Sequence, residues 1–163
     1  MKPERSHTMN AISEVTYCGL YCPNCGARCH LPQRASALIE EMKAGEYDQW
    51  GHTLEGFTPF WKFLHGLADV SVPKRCREET CGSPDCEMRK CAKRKGVDVC
   101  PLCDDYPCEM IQEFSKSNPT LIFDGERMKE IGMQAWIVEQ EARRQKGFCY
   151  GDICCGKDII PQE

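Results

Sequence analysis

The sequence predicts a mainly α, small, irregular, metal-stabilised domain with cysteine knuckles and a long C-terminal helix. Three observations predict this class. The 163 residues include 14 cysteines, most of them in two short clusters. Several stretches repeat apolar residues at the spacing of an amphipathic helix, whereas strand signals are weak throughout. Hydrophobic residues make up 41% of the chain and the mean hydropathy is -0.53, so we expect a soluble protein whose modest core needs bound metal.

The two cysteine clusters are too poor in apolar residues to fold by burial alone. Thiolates spaced two to four residues apart are typical of metal ligands, and zinc takes four Cys or His ligands, commonly from two knuckles. The first cluster contains Cys18, Cys22, Cys25 and Cys29. The second contains Cys76, Cys81, Cys86, Cys91, Cys100, Cys103 and Cys108.

The cellular compartment decides between metal ligands and disulfides. Residues 1–15 contain no apolar segment of the kind found in secretory signals, and no apolar run reaches the length of a membrane span. We therefore expect a cytoplasmic protein, in which disulfides are rare and the cysteines are metal ligands. Residues 1–15 are predicted to be a flexible lead, and 16–163 to be a single cysteine-rich domain.

Apolar spacing predicts two helices before the second cysteine cluster. The first follows Pro32, buries Ala35, Leu38, Ile39 and Met42, and ends at Gly45. The second begins at Thr58 and Pro59, an N-cap and first-turn pair. Its predicted apolar face consists of Phe60, Phe63, Leu64, Leu67 and Ala68.

Further helices are predicted within and after the second cluster. One follows Ser83 and Pro84 and ends at Gly96, and another opens at Pro107 with Cys108 in its first turn. The long helix runs from Gly125 to about Gln145 with Asp124 as its cap. Its predicted apolar stripe is Met128, Ile131, Ala135, Val138 and Ala142, widened by Trp136 and Ile137, and Glu139 and Arg143 are a predicted ion pair. Residues 120–123 are the best candidate for a short strand.

Zinc is the predicted cofactor, in two sites with several thiols left over. Cys22 with Cys25, Cys100 with Cys103, and Cys103 with Cys108 have suitable spacings. Additional candidate ligands are Cys29, Cys149, Cys154 and Cys155. No catalytic residue is predicted, and the function favoured is a structural or interaction module with a protein partner.

Two other cysteine chemistries stay open at this stage. An iron–sulfur cluster is one, because Cys18, Cys22 and Cys25 have the spacing of radical S-adenosylmethionine enzymes and Cys-Pro steps occur twice. A barrel of that enzyme class takes about 250 residues, so an electron-transfer cluster is the better form of this alternative. Thiol redox chemistry is the other, because Cys-x2-Cys occurs twice.

A basic segment gives a further alternative. Residues 74–95 carry eight basic and four acidic side chains in a chain of net charge -4. Their favoured role is to offset the negative charge of metal-bound thiolates. Nucleic-acid binding is the alternative, through Arg89, Lys90, Lys93, Arg94 and Lys95.

Three stretches carry a family resemblance: CGLYCPNC from Cys18, the block from Cys86 to Ile111, and residues 130–144. The pattern resembles a prokaryotic cysteine-rich family, domain of unknown function 3795, which is assumed to bind zinc. The resemblance implies ligands drawn from ten cysteines and implies no activity or substrate. Those ten are Cys18, Cys22, Cys25, Cys76, Cys81, Cys86, Cys91, Cys100, Cys103 and Cys108. Cys29 departs from the pattern, and the tail from Cys149 to Cys155 is shortened.

Overall fold

Helices form most of the chain that the structure describes. This computed structural model describes residues 12–71, 75–80 and 85–154, and of Cys154 it describes only the backbone. The predictions made for Cys81, Ser83, Pro84 and Cys155 lie outside the described residues. Within those ranges there is no strand, only an isolated antiparallel bridge between Val15 and Tyr21. No helix in the described ranges is long and apolar enough to cross a membrane.

The chain divides into two compact units. The first, called the helical unit, is residues 26–73; the second, called the cysteine-rich unit, joins the chain up to residue 25 with the chain from residue 74 onward. That the two act as the one domain predicted for 16–163 stays a prediction.

The helical unit contains four α-helices. They are α1 Gly26–Cys29, α2 Leu31–Ala44, α3 Tyr47–Trp50 and α4 Phe57–Ala68, with a 3-10 turn at Gly51–Thr53. Ala35 and Ile39 of α2 are buried against Leu64 of α4, with Met42 partly buried beside them, as predicted. Leu38 of the predicted packing face is instead 44% exposed. Gly45 follows the last residue of α2, as predicted.

Two details of the helical unit correct the sequence predictions. Helix α4 begins at Phe57 after Gly56, one residue before the predicted Thr58 and Pro59 pair. Its buried face uses Phe57 and Leu64, whereas Phe63 is 65% exposed and Phe60 is 43% exposed. Phe57 displaces them because its ring stacks between Tyr47 and Trp61, with centroid distances of 6.4 and 5.4 Å.

The cysteine-rich unit contains five further α-helices. They are α5 Glu87–Lys95, α6 Glu109–Ser115, α7 Leu121–Ile131, α8 Met133–Gln145 and α9 Tyr150–Cys154. Two 3-10 turns, Cys22–Asn24 and Cys100–Leu102, both begin with a Cys-Pro step. Helix α5 ends at Gly96 as predicted, but it begins after Cys86, and α6 begins after Cys108 rather than at Pro107.

The predicted long C-terminal helix is wrong, because Gly132 divides it into α7 and α8. Gly132 has φ +81° and ψ 152°, a conformation that interrupts a helix and strongly favours glycine. The predicted strand at residues 120–123 is also wrong, since α7 begins at Leu121. Leu121 is fully buried with Tyr106 and Ile111, so tertiary packing outweighs its local strand signal.

The side chains of α8 also pack differently from the prediction. Trp136, Ile137 and Gln140 are buried, whereas Val138 of the predicted stripe is 69% exposed. The predicted pair of Glu139 and Arg143 is replaced by two pairs that join α7 to α8. Arg127 binds Glu139 at 2.6 Å, and Arg143 binds Asp124 at 2.7 Å. Asp124 is therefore a buried ion-pair partner within α7 and not the cap of a helix.

Candidate metal centre

Four cysteines of the cysteine-rich unit line one cavity of about 30 Å³. Cys91 lies on α5, Cys100 opens the turn Cys100–Leu102, Cys103 follows that turn, and Cys108 immediately precedes α6. The rest of the lining is Met88, Ala92, Lys95, Val97, Asp105, Tyr106, Met110 and Ile111. The second cluster thus brings thiols from three local segments to one place.

Local backbone structure explains how these segments meet. Gly96, with φ +67°, ends α5 and reverses the chain, so that Cys100 returns beside the helix that carries Cys91. The Cys103 N–H donates to the Cys100 carbonyl at 2.9 Å, and the Tyr106 N–H donates to the Cys103 carbonyl at 3.0 Å. The buried Tyr106 hydroxyl donates to the Leu121 carbonyl at 3.2 Å and fastens this loop to the start of α7.

The electrostatics of this cavity favour a cation. The pKa of the Cys100 thiol is raised to about 12, chiefly by burial and then by the neighbouring thiolates of Cys18, Cys108, Cys91 and Cys103, in that order of influence. Each thiolate makes the neighbouring thiols harder to deprotonate. A bound positive ion stabilises these deprotonated forms. Lys95 already contributes positive charge, because its Nζ lies 3.5 Å from Cys103 Sγ.

A second group of thiols lies next to the first. The pKa of Cys18 is raised to about 12. Burial is the main cause, the thiolates of Cys76 and Cys86 contribute less, and the Thr16 hydroxyl at 3.1 Å partly offsets the shift. Cys18 also belongs to the apolar cluster against which Cys100 and Cys108 pack. The two groups therefore share a border.

Arginine side chains hold the segment that carries Cys76. Arg77 donates to the carbonyls of Val15 and Asp98 at 2.7 and 2.8 Å, and Arg75 pairs with Glu14 at 2.9 Å. Arg89 of α5 is 3% exposed and donates to the Cys76 carbonyl at 3.4 Å. The basic side chains of residues 74–95 thus hold the segments that surround the sulfurs through hydrogen bonds and ion pairs.

The cysteine thiols are ligands that suit a thiophilic ion, but their sulfurs lie too far apart to share one ion without rearrangement. All cysteines with described side chains are free of disulfide bonds. Among the described residues, no three cysteine sulfurs lie within 4.8 Å of one another. In a tetrahedral shell with zinc–sulfur bonds of about 2.3 Å, sulfurs lie about 3.8 Å apart, so side-chain rotations must accompany binding.

The remaining predicted ligands are not among the residues that line the cavity. Cys22 is buried in the turn Cys22–Asn24, where its N–H donates to the Glu14 carbonyl at 2.7 Å, and Cys25 follows that turn half-buried. Cys149 is buried with its sulfur within 4.8 Å of an Asp152 carboxylate oxygen. Cys29 ends α1 in the helical unit. The predicted knuckle of Cys22 with Cys25 stays a prediction.

Most of the basic residues proposed for nucleic acid are engaged within the cysteine-rich unit. Lys90 pairs with Glu87 at 2.9 Å, Lys93 pairs with Glu79, and Lys95 pairs with Asp105. Arg89 is buried, as described above, and Arg94 is exposed. Neutralising partners reduce the attraction of this segment for phosphate.

Some residues of the site escaped the sequence reasoning. Met88, Cys91 and Lys95 are spaced i, i+3 and i+7, which places them on one face of α5. That spacing was a usable signal for Met88 and Lys95. Met110 and the Asp124–Arg143 pair had no comparable signal, because their partners are distant in sequence.

These features define a small, mainly helical protein with a thiol-lined site. Its family is also established: the chain belongs to the family described as "Protein of unknown function (DUF3795)", whose model matches residues 14–113. The match includes all ten cysteines of the predicted main ligand set and ends before α7. Neither the curated proteins nor the solved structures contain a match to this chain.

Proposed function

We propose that the protein is a zinc-binding module in which Cys91, Cys100, Cys103 and Cys108 hold one structural ion. The convergence of these four thiols on one cavity carries the proposal. Four thiolates without a free carboxylate or water position suit a structural rather than a catalytic zinc site. The one lining carboxylate, Asp105, is paired with Lys95.

A second ion would be held by the group that contains Cys18, Cys76 and Cys86. The electrostatic influence of Cys76 and Cys86 on the Cys18 thiol supports this assignment, as do the hydrogen bonds of Arg77 and Arg89 that hold the Cys76 segment. Cys81 lies between Cys76 and Cys86 in the sequence and is the natural candidate for a fourth ligand. Because both groups precede α7, the two ions would stabilise the part of the chain that defines the family.

Metal analysis of the reduced full-length protein tests this assignment. We expect about two zinc ions per chain, in line with two four-ligand sites. Replacing Cys100 and Cys103 together with serine should remove one ion and expose the thiols of Cys91 and Cys108 to a thiol reagent. Cys29→Ser, outside both groups, should leave both ions in place. Full zinc retention by the double variant would contradict the assignment.

The same preparation separates zinc from an iron–sulfur cluster. Zinc has a filled d shell and no redox chemistry, so protein purified without oxygen should be colourless and contain no acid-labile sulfide. A brown protein with stoichiometric iron and sulfide would support the iron–sulfur alternative instead.

We further propose that the module presents a surface to a protein rather than to nucleic acid. The ion pairs of Lys90, Lys93 and Lys95 support this preference, as do the exposed apolar side chains of Phe60 and Phe63 on α4. Titration with labelled DNA and RNA duplexes and single strands should give no binding at physiological salt. Binding that weakens steeply with added salt and is lost in Arg94→Ala would favour nucleic acid.

A further inference from the structure

We propose that the cavity formed by Cys91, Cys100, Cys103 and Cys108 also takes the soft monovalent ion Cu(I), with the thioethers of Met88 and Met110 as additional ligands. This inference rests on the proposed function, because it assumes that these four cysteines bind metal. It adds a second class of ion that the cavity accepts and two ligands outside the cysteine set.

The two methionines come from the two helices that flank the cysteine loop in the sequence. Met88 lies one helical turn before Cys91 on α5, and Met110 lies in the first turn of α6, two residues after Cys108. Both side chains belong to the cavity lining. Met88 also packs against the cluster of Cys18, Tyr106 and Ile111, which holds it in place. The cavity therefore has six sulfur-bearing side chains around it.

The rest of the lining offers no competing hard ligand. Ala92, Val97 and Ile111 are apolar, and the carboxylate of Asp105 is paired with Lys95. Thioethers are neutral, polarisable donors that select Cu(I), whereas zinc draws little from them when thiolates are present. A methionine pair at the rim of a thiol cavity therefore matters for Cu(I) and not for zinc.

The spacing of the thiols points in the same direction. No three cysteine sulfurs in the described chain lie within 4.8 Å of one another, so the cysteines must move to enclose a tetrahedral zinc ion. Cu(I) is satisfied by fewer sulfur ligands, so two thiolates and a neighbouring thioether are enough to bind it. Binding Cu(I) therefore requires less movement of the cysteine side chains than enclosing a zinc ion does.

Methyl NMR of the full-length protein tests the proposal directly. Reduced, metal-free protein with methionine labelled at the ε-methyl carbon is titrated without oxygen, either with zinc or with Cu(I), until its thiols are saturated. Met88→Leu and Met110→Leu assign the two signals, and Met128, buried in a separate apolar cluster, is the internal reference. We expect the Met88 and Met110 signals of the Cu(I)-loaded protein to lie far from those of the zinc-loaded protein, in which the thioethers bind no ion, and the Met128 signal to be the same in both. Met88 and Met110 signals at the same positions with both ions would overturn the proposal.

Affinity measurements on a double variant give a second readout. Met88→Leu with Met110→Leu keeps the apolar volume and removes both thioethers, and Met128→Leu is the matched control. Competition with a Cu(I) chelator should show about tenfold weaker Cu(I) binding in the double variant, with zinc affinity unchanged. Equal Cu(I) affinity in the double variant and the control would overturn the inference while leaving the zinc assignment intact. If the wild-type protein bound Cu(I) but no zinc, only the zinc assignment would be overturned.

Discussion

Lys95 places a positive charge beside a sulfur of the cysteine-lined cavity. Its Nζ is 3.5 Å from Cys103 Sγ, and Asp105 holds the side chain in that position. Both contacts raise the pKa of Lys95, the Asp105 hydrogen bond most, so the side chain is charged across the physiological range. An ammonium group at this distance offsets the negative charge that four thiolates leave on a divalent ion.

Removing this charge should weaken zinc binding without unfolding the helix. We expect Lys95→Met to lower zinc affinity about tenfold, measured by competition with a zinc chelator. Lys90→Met is the matched control, because Lys90 lies on the same helix but pairs with Glu87. Equal affinities of the two variants would show that the contact with Cys103 has no role in metal binding.

Asp124 is the buried carboxylate of the α7–α8 interface, and the direction of its pKa shift predicts how the free energy of unfolding changes with pH. It is 1% exposed; Arg143 and Gln140 donate to its Oδ1 at 2.7 and 3.3 Å, and its Oδ2 has no hydrogen-bond partner. Burial raises the pKa of Asp124 above its usual value of 3.8, and the attraction of Arg143 only partly offsets this. The folded protein therefore binds this proton more tightly than the unfolded chain does.

The consequence is a loss of stability as pH rises. Relative to Asp124→Asn, the wild-type protein should lose free energy of unfolding as the pH rises from below 3.8 through the raised pKa of Asp124, and the difference should then level off. Both proteins release metal in acid. Comparing them in the same metal-containing buffers therefore removes this contribution from the difference in their stabilities. If the wild type instead gains stability over this range, the Arg143 pair outweighs burial and the assigned direction is wrong.

At the scale of the elements, local patterns predicted some helices well and misplaced others. Helix α2 and the end of α5 at Gly96 follow from apolar spacing and glycine chemistry, which are local. The division between α7 and α8 does not, because nothing near Gly132 marks it as a break rather than as a tolerated glycine. Asp124 has the sequence signature of a helix cap, but the half-buried Arg143, 19 residues away, binds its carboxylate instead.

Alanine substitution at two glycines tests the break between α7 and α8. Gly132 has φ +81° and ψ 152° with open space around it, so Gly132→Ala should lower the free energy of unfolding by about 1–3 kcal/mol through backbone strain alone. Gly66 lies within α4, also in open space, and Gly66→Ala should raise it by about 0.4–1 kcal/mol. Urea unfolding of the metal-loaded proteins measures both. A stabilising Gly132→Ala would favour the continuous helix that the sequence predicts.

At the scale of the whole molecule, the sequence was informative about ligand type and uninformative about grouping. Cysteine spacing predicts the thiols as metal ligands, which stays a prediction, and spacing is a local property. Which thiols share a cavity depends on the reversal at Gly96, which returns Cys100 to Cys91, and on packing that brings Cys18 beside Cys100. Spacing along the sequence does not predict contacts between distant residues. It also did not predict that the two methionines line the cavity.

The two compact units should respond differently to metal removal. The helical unit has its own apolar core of Ala35, Ile39 and Leu64, and Cys29 is its single cysteine. The cysteine-rich unit has two buried apolar clusters of its own, but its candidate ligands lie in loops between them, and a structural zinc ion supplies roughly 10 kcal/mol or more to such a site. Loss of the ions should therefore open one unit and spare the other.

Hydrogen exchange of the full-length protein measures this difference. After chelation under reducing conditions, we expect backbone amides of α5, of residues 100–108 and of α6 to exchange at least about tenfold faster, because local opening there no longer breaks metal–sulfur bonds. Amides of α2 and α4 should keep their protection, and added zinc should restore the rest. Equal acceleration in α2 and α4 would mean that the two units open together. Unchanged exchange around the four cysteines would mean that packing alone holds them, and the zinc assignment would then be wrong.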